Sequence, residues 1–555
     1  MTEEIKDNAP EKPCIMVVSA IFLVAFLFYC KSISFEFLNW DDDPLITNNP
    51  LTKSFSLSNI FQLFIPGSIK EEMLYIPLTY LSFAIENIFS GPNAKLTHAI
   101  NCLLHACNAV LLFLFLDKLK IKNYLAIAAV LIFILHPIVP ETVCWGMGRK
   151  DLLSTAFALM TLMSYNCYLN SDKKLSLILT FVFFLLASLS KPSLIILPGL
   201  LVALHFYIKG FQKDKLLTKN HLIQAGCFAG LMILIFCLNM NENGQENLLV
   251  KPDAGLRILA IPYMITNWIL RFTLIKPVNP FYMWPPLNMN TLLPYCLGPL
   301  LIVLSIFMLY KKKQMQALLF LSLTLLSFVP AVLVVIQYRN FISADRYGYF
   351  PLCFISVAVL IIADQLVSKK EIIIGLSSLV IIFCAVKSWQ QSAVWKDSIS
   401  LWEATLEMSP DNPFARQNLG AQYMNEDTQK GINLLKEGLT KTPDNFYAFQ
   451  SLGAAYQEIG EHKKSIPIYL KGIQVKDDYA GLWINLGIAY LELRNYDKAE
   501  ESLIAAYKLD PNNLKVAVSL AAVYENKKQY QKALAQATRA TKLDPLSSKA
   551  WTRKA

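Results

Sequence analysis

Eleven apolar runs dominate the first 387 residues of this 555-residue chain, near 14–30, 97–116, 123–140, 151–169, 176–190, 193–208, 222–240, 291–310, 315–337, 347–367 and 371–387. A helix that spans a bilayer needs roughly 20 mostly apolar residues. Several runs fall short of that length, which a packed bundle tolerates. With 54% hydrophobic and 17% charged residues, the chain is too apolar for an ordinary soluble protein. The polar segment Met1–Pro13 precedes the first run, and no small-residue cleavage site follows it cleanly. The first run therefore reads as an uncleaved transmembrane helix rather than a signal peptide. The expected fold class is all-α: a polytopic bundle of about 11 spans followed by a helical repeat array.

Short loops between alternate runs are rich in lysine: Lys118, Lys120 and Lys122; Lys173 and Lys174; Lys209, Lys213, Lys215 and Lys219; Lys311–Lys313; Lys369 and Lys370. The positive-inside rule places them all in the cytoplasm. Strict alternation then puts the N-terminus inside and everything after residue 387 outside. This parity requires the stretch 256–279, interrupted by Arg257, Arg271 and Lys276, to lie along the outer surface rather than cross. The segment 71–90 reads as a second interfacial helix, within an outer loop one that covers 31–95. All five arginines of the apolar part, Arg149, Arg257, Arg271, Arg339 and Arg346, fall on the predicted outer side. Arginine grips phosphate bidentately, which lysine does not. Their placement fits a site for a phosphate-bearing, lipid-linked ligand; chance and interfacial snorkelling are the plainer reading.

Residues 1–387 carry 30 Lys and Arg against 22 Asp and Glu, and residues 388–555 carry 21 against 19. The basic excess thus follows the topology and does not imply nucleic acid. All eleven cysteines lie before residue 388, with no zinc-ligand spacing and no visible disulfide framework. No Walker A loop or dinucleotide fingerprint is present.

After residue 411 the pattern changes to a strict period. Gly453, Tyr456, Ser465, Tyr469, Gly472 and Asp477 recur 34 residues on as Gly487, Tyr490, Ala499, Leu503, Ala506 and Pro511. They recur again as Ala521, Tyr524, Ala533, Ala537, Ala540 and Pro545, and an earlier unit starts from Gly420. Small residues where paired helices cross, with a proline after the second helix, are the tetratricopeptide (TPR) signature. The predicted division is 1–387 membrane domain, 388–411 joint and half-repeat helix, and 412–555 four TPR units plus a truncated fifth helix. TPR arrays stack into solenoids whose concave face binds polypeptide.

Three groups of polar residues stand out. Outer loop one contains Trp40-Asp41-Asp42-Asp43-Pro44, in which crowding raises the pKa of at least one carboxyl. The residues leave three readings open: a general base, a holder of a divalent cation (Mg or Mn) against a phosphate, or a solvated acidic turn. A second group runs from His136 through Glu141 and Trp145 to Arg149, Lys150 and Asp151, with Lys191 of Ser190-Lys191-Pro192 at another outer edge. Third, His98, Asn101, His105 and Asn108 share one helix face, which reads as interhelical hydrogen-bonding glue rather than a metal site.

Taken together, WDDDPLITNNP, YIPLTYLSFAIE, HAINCLLHACNAVLL, HPIVPETVCWGMGRKDLLS, LSKPSLIILPGLL, ADRYGYFPL and VWKDSISLWEATLEMSPDNPFARQNLG resemble a known family. They look like bacterial relatives of the transmembrane-and-TPR-containing O-mannosyltransferases, members of the GT-C glycosyltransferase superfamily. The resemblance implies sugar transfer from a polyprenyl-phosphate carrier to an acceptor, a protein hydroxyl, outside the cytoplasm. It assigns Asp41 and Asp42 as the acidic pair at the acceptor, with Glu141 as the acid of the second loop. Asp43 is an extra acid, and neither it nor His136 receives a defined role. Arg346 falls on the family's arginine before an aromatic pair and is expected to hold the carrier phosphate, with Arg149 or Lys191 assisting. The expected partners are a polyprenyl-phosphate-linked sugar, an acceptor polypeptide on the TPR face and the lipid bilayer. The compartment implied is the bacterial inner membrane with the repeats in the periplasm, or the endoplasmic reticulum with them in the lumen. Two rival functions stay open: a non-enzymatic membrane-anchored TPR scaffold for envelope assembly, and a binder or transporter of lipid-linked sugar.

Overall fold

The computed structural model describes residues 14–53, 55–69, 75–210, 219–240, 254–274, 282, 284, 289–337, 342–367 and 369–543. Among these residues the chain is helical, and its sole β-type pairing is an isolated bridge between Tyr282 and Ser343. It divides into two compact units, Met1–Leu401 and Trp402–Ala555, which meet inside the predicted joint.

In the first unit every predicted apolar run is a helix. They are α1 (Ile15–Tyr29), α4 (Ala94–Lys118), α5 (Asn123–Leu135), α7 (Arg149–Ser171), α8 (Lys174–Ser190) and α9 (Leu197–Lys209). The series continues with α10 (Lys219–Met240), α12 (Leu297–Lys311), α13 (Met315–Gln337), α14 (Tyr349–Leu366) and α15 (Lys370–Ala393). By length and composition, eight helical segments among the described residues are able to cross a membrane, and three shorter apolar helices accompany them. The protein is a multi-pass membrane protein. Between these helices lie α2 (Leu57–Leu63), α3 (Pro77–Ser90), α6 (Val139–Cys144) and α11 (Ala254–Phe272), the last covering the stretch expected at the surface. Arg339 and residues 275–279 lie outside the described residues.

Polar residues tie the apolar helices to one another. The stripe on α4 behaves as glue. Asn101 donates to the Trp145 carbonyl at 2.9 Å, and Asn108 donates to the Leu152 carbonyl at 3.0 Å. His105 Nδ1 lies 2.8 Å from the Tyr349 hydroxyl. Tyr29 of α1 donates to the Ile134 carbonyl at 3.1 Å and meets Ser388 Oγ of α15 at 2.9 Å. Away from water such bonds have no competing solvent, so they fix register between otherwise featureless apolar faces.

Among its described residues the second unit has four antiparallel helix pairs: α17 (Pro413–Glu426) with α18 (Thr428–Lys441), α19 (Phe446–Glu458) with α20 (His462–Val475), α21 (Ala480–Glu492) with α22 (Tyr496–Leu509), and α23 (Leu514–Asn526) with α24 (Tyr530–Leu543). A preceding helix, α16 (Ser398–Met408), supplies the half-repeat. Asn412, Asn445 and Asn513 cap the first helices of three units by accepting from backbone N–H groups, which satisfies orphan helix donors. The signature small residues sit where helices cross. A Cβ on Gly453 would lie 2.3 Å from Tyr469 Cε1, and one on Gly487 2.6 Å from Leu503 Cγ. The predicted fifth helix, with Trp551, lies outside the described residues.

Candidate functional site

The first unit gathers the sequence-predicted residues from four separate segments. Trp40 stacks on Trp145, with centroids 4.6 Å apart and planes at 10°. This stack docks outer loop one onto the turn between α6 and α7. Asp42 completes the docking. It is fully buried; its Oδ2 accepts from Leu38 N at 3.1 Å and its Oδ1 from Met147 N at 3.0 Å. Gly146 permits this approach, because a Cβ there would stand 3.0 Å from Asp42 Oδ1. Burial pushes the Asp42 carboxyl up to about 7, against the lowering pull of the two N–H groups; Asp41 and Asp43 add less. The elevation expected from crowding is present, but desolvation is its main cause.

Its neighbours are placed differently. Asp41, one-fifth exposed, has Oδ2 3.9 Å from Lys150 Nζ. Asp43 opens a short turn closed by Thr47, whose hydroxyl donates to the Asp43 carbonyl at 2.9 Å, and partial burial raises its pKa. The three carboxylates therefore have different partners. Among the described residues no group of three or more His, Cys, Asp or Glu is arranged as metal ligands.

Glu141 lies in the first turn of α6 and Arg346 in the tight turn Asp345–Gly348 that leads into α14. The Glu141 carboxylate accepts from the Arg346 backbone N at 3.1 Å and from its guanidinium. Burial raises the Glu141 pKa, and the Arg346 charge opposes that rise. Glu141 thus seats Arg346, whose guanidinium also lies 5.3 Å from the Trp40 ring and 5.1 Å from the Trp145 ring.

Lys191 precedes Pro192, which disfavours helical backbone at the residue before it. Its φ of −155° and ψ of 115° interrupt the path from α8 to α9. The break lets the ammonium reach Asp151 in the first turn of α7, where the two form an ion pair. Asp151, Lys191, Arg346 and Tyr347 line a small, partly open cleft with the hydroxyl residues Ser154, Thr155, Ser193 and Ser327.

Of the predicted site residues only Lys191 and Arg346 line the cleft. Arg149 was expected beside the phosphate, yet it does not line this cleft. It is 1% exposed, bonded to Asn101 Oδ1 at 2.6 Å, Glu86 Oε2 at 2.8 Å and the Thr97 carbonyl at 3.0 Å. It ties α3, α4 and α7 together. His136 is buried at the end of α5, its Nε2 3.4 Å from the Phe272 carbonyl, and its Nδ1 accepts from Ile138 N. Residue-level reading missed Glu86 and Asp345. Asp345 accepts from Arg271 at 3.2 Å and from the Tyr282 hydroxyl at 2.9 Å, and it holds the Arg346 turn from the α11 side. An arginine inside an apolar bundle demands a carboxylate partner, and that signal points to both acids.

The tetratricopeptide repeat family model matches residues 480–513. Human protein O-mannosyl-transferase TMTC3 is 24% identical over 453 residues, 72% of this chain and 48% of that protein. Human protein O-mannosyl-transferase TMTC1 is 32% identical over 147 residues, 25% of this chain and 17% of that protein. A crystal structure of MamA is 23% identical, covering 27% of this chain and 87% of its own, with a TM-score of 0.25. The chain spans about half the length of the first of these transferases. The chain thus resembles protein O-mannosyl-transferases, and it carries a tetratricopeptide repeat.

Proposed function

We propose that this protein is a membrane glycosyltransferase that moves a sugar from a polyprenyl-phosphate carrier to a protein hydroxyl on the non-cytoplasmic side. One observation carries the reading: the cations Lys191 and Arg346 line one cleft, and Arg346 shares the Trp145 ring with Lys150, whose ammonium lies 3.9 Å from the acid Asp41. The likeness to O-mannosyl-transferases supplies the reaction class.

Asp41 takes the acceptor proton. Asp42 already uses both oxygens to anchor the loop. The acceptor oxygen attacks the anomeric carbon as the carbon–oxygen bond to phosphate breaks, with inversion. The electron pair leaves on the phosphate oxygen, where Arg346 and Lys191 meet the developing charge. The acceptor proton ends on Asp41. The repeat unit binds the acceptor polypeptide. The lysine-rich loops support cytoplasmic placement of the opposite face.

The test is sugar transfer from polyprenyl-phosphate mannose in membranes carrying single variants. Asp41→Asn is expected to lower the turnover rate by about 100-fold or more, the usual range for losing a general base. Full activity in Asp41→Asn would sink the assignment.

A further inference from the structure

Asp151 has a carboxylate oxygen that the bundle does not satisfy. The residue is 3% exposed and its Oδ1 is taken by Lys191. Its Oδ2 is buried and has no hydrogen-bond partner among the described residues. Buried polar atoms are nearly always paired, and an unpaired one is strongly unfavourable. Asp151 lines the cleft beside Lys191 and Arg346, together with the hydroxyls of Ser154, Thr155, Ser193 and Ser327.

An ionised carboxylate only accepts hydrogen bonds. A phosphate oxygen is therefore the wrong partner for Oδ2, because two acceptors of like charge repel. The group that fits must bring an O–H donor, and it must lie next to the phosphate that the two cations attract. A sugar attached to that phosphate meets both conditions. We propose that Asp151 is a specificity-determining residue that accepts a hydroxyl of the carried sugar, so that the cleft takes a neutral, hydroxylated hexose and rejects a uronic acid. The inference rests on the reading of the cleft as a donor site and adds the class of sugar it selects.

The same geometry makes a prediction of opposite signs. Removing Asp151 releases Lys191 from its ion pair, so a bare phosphate gains while a sugar-bearing phosphate loses its hydroxyl contact. Binding is measured on the full-length protein in detergent with two probes, polyprenyl phosphate and polyprenyl-phosphate mannose. The wild type is expected to favour the mannosyl lipid by about 10-fold or more, the usual strength of a hydrogen bond to a charged group. In Asp151→Ala that preference is expected to fall to about one, with affinity for polyprenyl phosphate unchanged or higher. A parallel loss of both lipids would mean that Asp151 merely holds Lys191 in place, and would overturn the inference. So would an unchanged preference.

Should Asp151→Ala fail to fold, Asp151→Asn carries a second comparison. The nearly isosteric amide removes the negative charge and is expected to raise affinity for polyprenyl-phosphate glucuronic acid relative to the mannosyl lipid. No change in that ratio would count against the inference. A wild-type protein that binds neither polyprenyl phosphate nor its mannosyl form would overturn the donor reading itself, and the role of Asp151 with it.

Discussion

Two carboxyls of the candidate site, Asp42 and Glu141, carry their consequences in their surroundings. Folding raises the Asp42 pKa from 3.8 to about 7. Between those values the folded chain keeps a proton that the unfolded chain has released, so the residue's contribution to stability is fully present below pH 3.8. It is lost as pH rises through about 7. Thermal unfolding of purified protein from pH 5 to 7.5 is expected to show a shallower decline in Asp42→Asn than in the wild type. An identical slope would mean that the buried carboxyl does not titrate there. Glu141 and Arg346 form a buried pair, and removing one member strands the other's charge. Glu141→Gln alone is expected to cost about 3–5 kcal/mol. Glu141→Gln with Arg346→Gln should recover most of that loss while leaving donor binding abolished. Unfolding midpoints and lipid binding, measured on the same three proteins, separate the structural role from the functional one.

At the scale of elements, the break between α8 and α9 decides where Lys191 points. Pro192→Ala removes the steric bar to helical backbone at Lys191. The joint is then free to continue α8, and Lys191 turns away from Asp151. The expected result is a higher KM for the polyprenyl-phosphate donor, about 10-fold if one charged contact is lost, with little change in acceptor KM. In the repeat unit the crossing of α19 and α20 depends on the absence of a side chain at Gly453. Gly453→Leu forces Tyr469 aside, an overpacking cost of about 1–3 kcal/mol or more. Limited proteolysis of full-length protein should then cut the repeats faster than in the wild type, with the apolar unit as resistant as before.

For the whole molecule, lysine placement makes sidedness testable. If Lys118, Lys173, Lys311 and Lys369 mark the cytoplasmic loops, an odd number of crossings exports everything after α15. Protease added to sealed vesicles with the non-cytoplasmic face outward is expected to remove the repeats as a discrete fragment. Inverted vesicles should protect them. The opposite pattern would mean that α11, or one of the shorter apolar helices, changes the number of crossings.

Periodicity and composition by themselves determined the elements of this protein. The eleven apolar runs are helices because a backbone in an apolar setting must satisfy its own hydrogen bonds. The 34-residue period placed the repeat helices because small residues such as Gly453 and Gly487 mark crossings that a side chain would block. Sequence also singled out Lys191 and Arg346, which line the cleft, and Glu141, which holds Arg346; Asp41 and Asp42 stand with Lys150 and Met147 instead. The pairing was not legible. Arg149 and Arg346 look alike in the chain, yet one is consumed by Glu86, 63 positions away, and the other is seated by Glu141, 205 positions away. Asp42 and Asp41 are adjacent, yet two backbone N–H groups claim the first and Lys150 faces the second. Tertiary structure alone decided these roles, because the desolvation and ion pairing that set a buried charge's function depend on neighbours that the fold brings from distant parts of the chain.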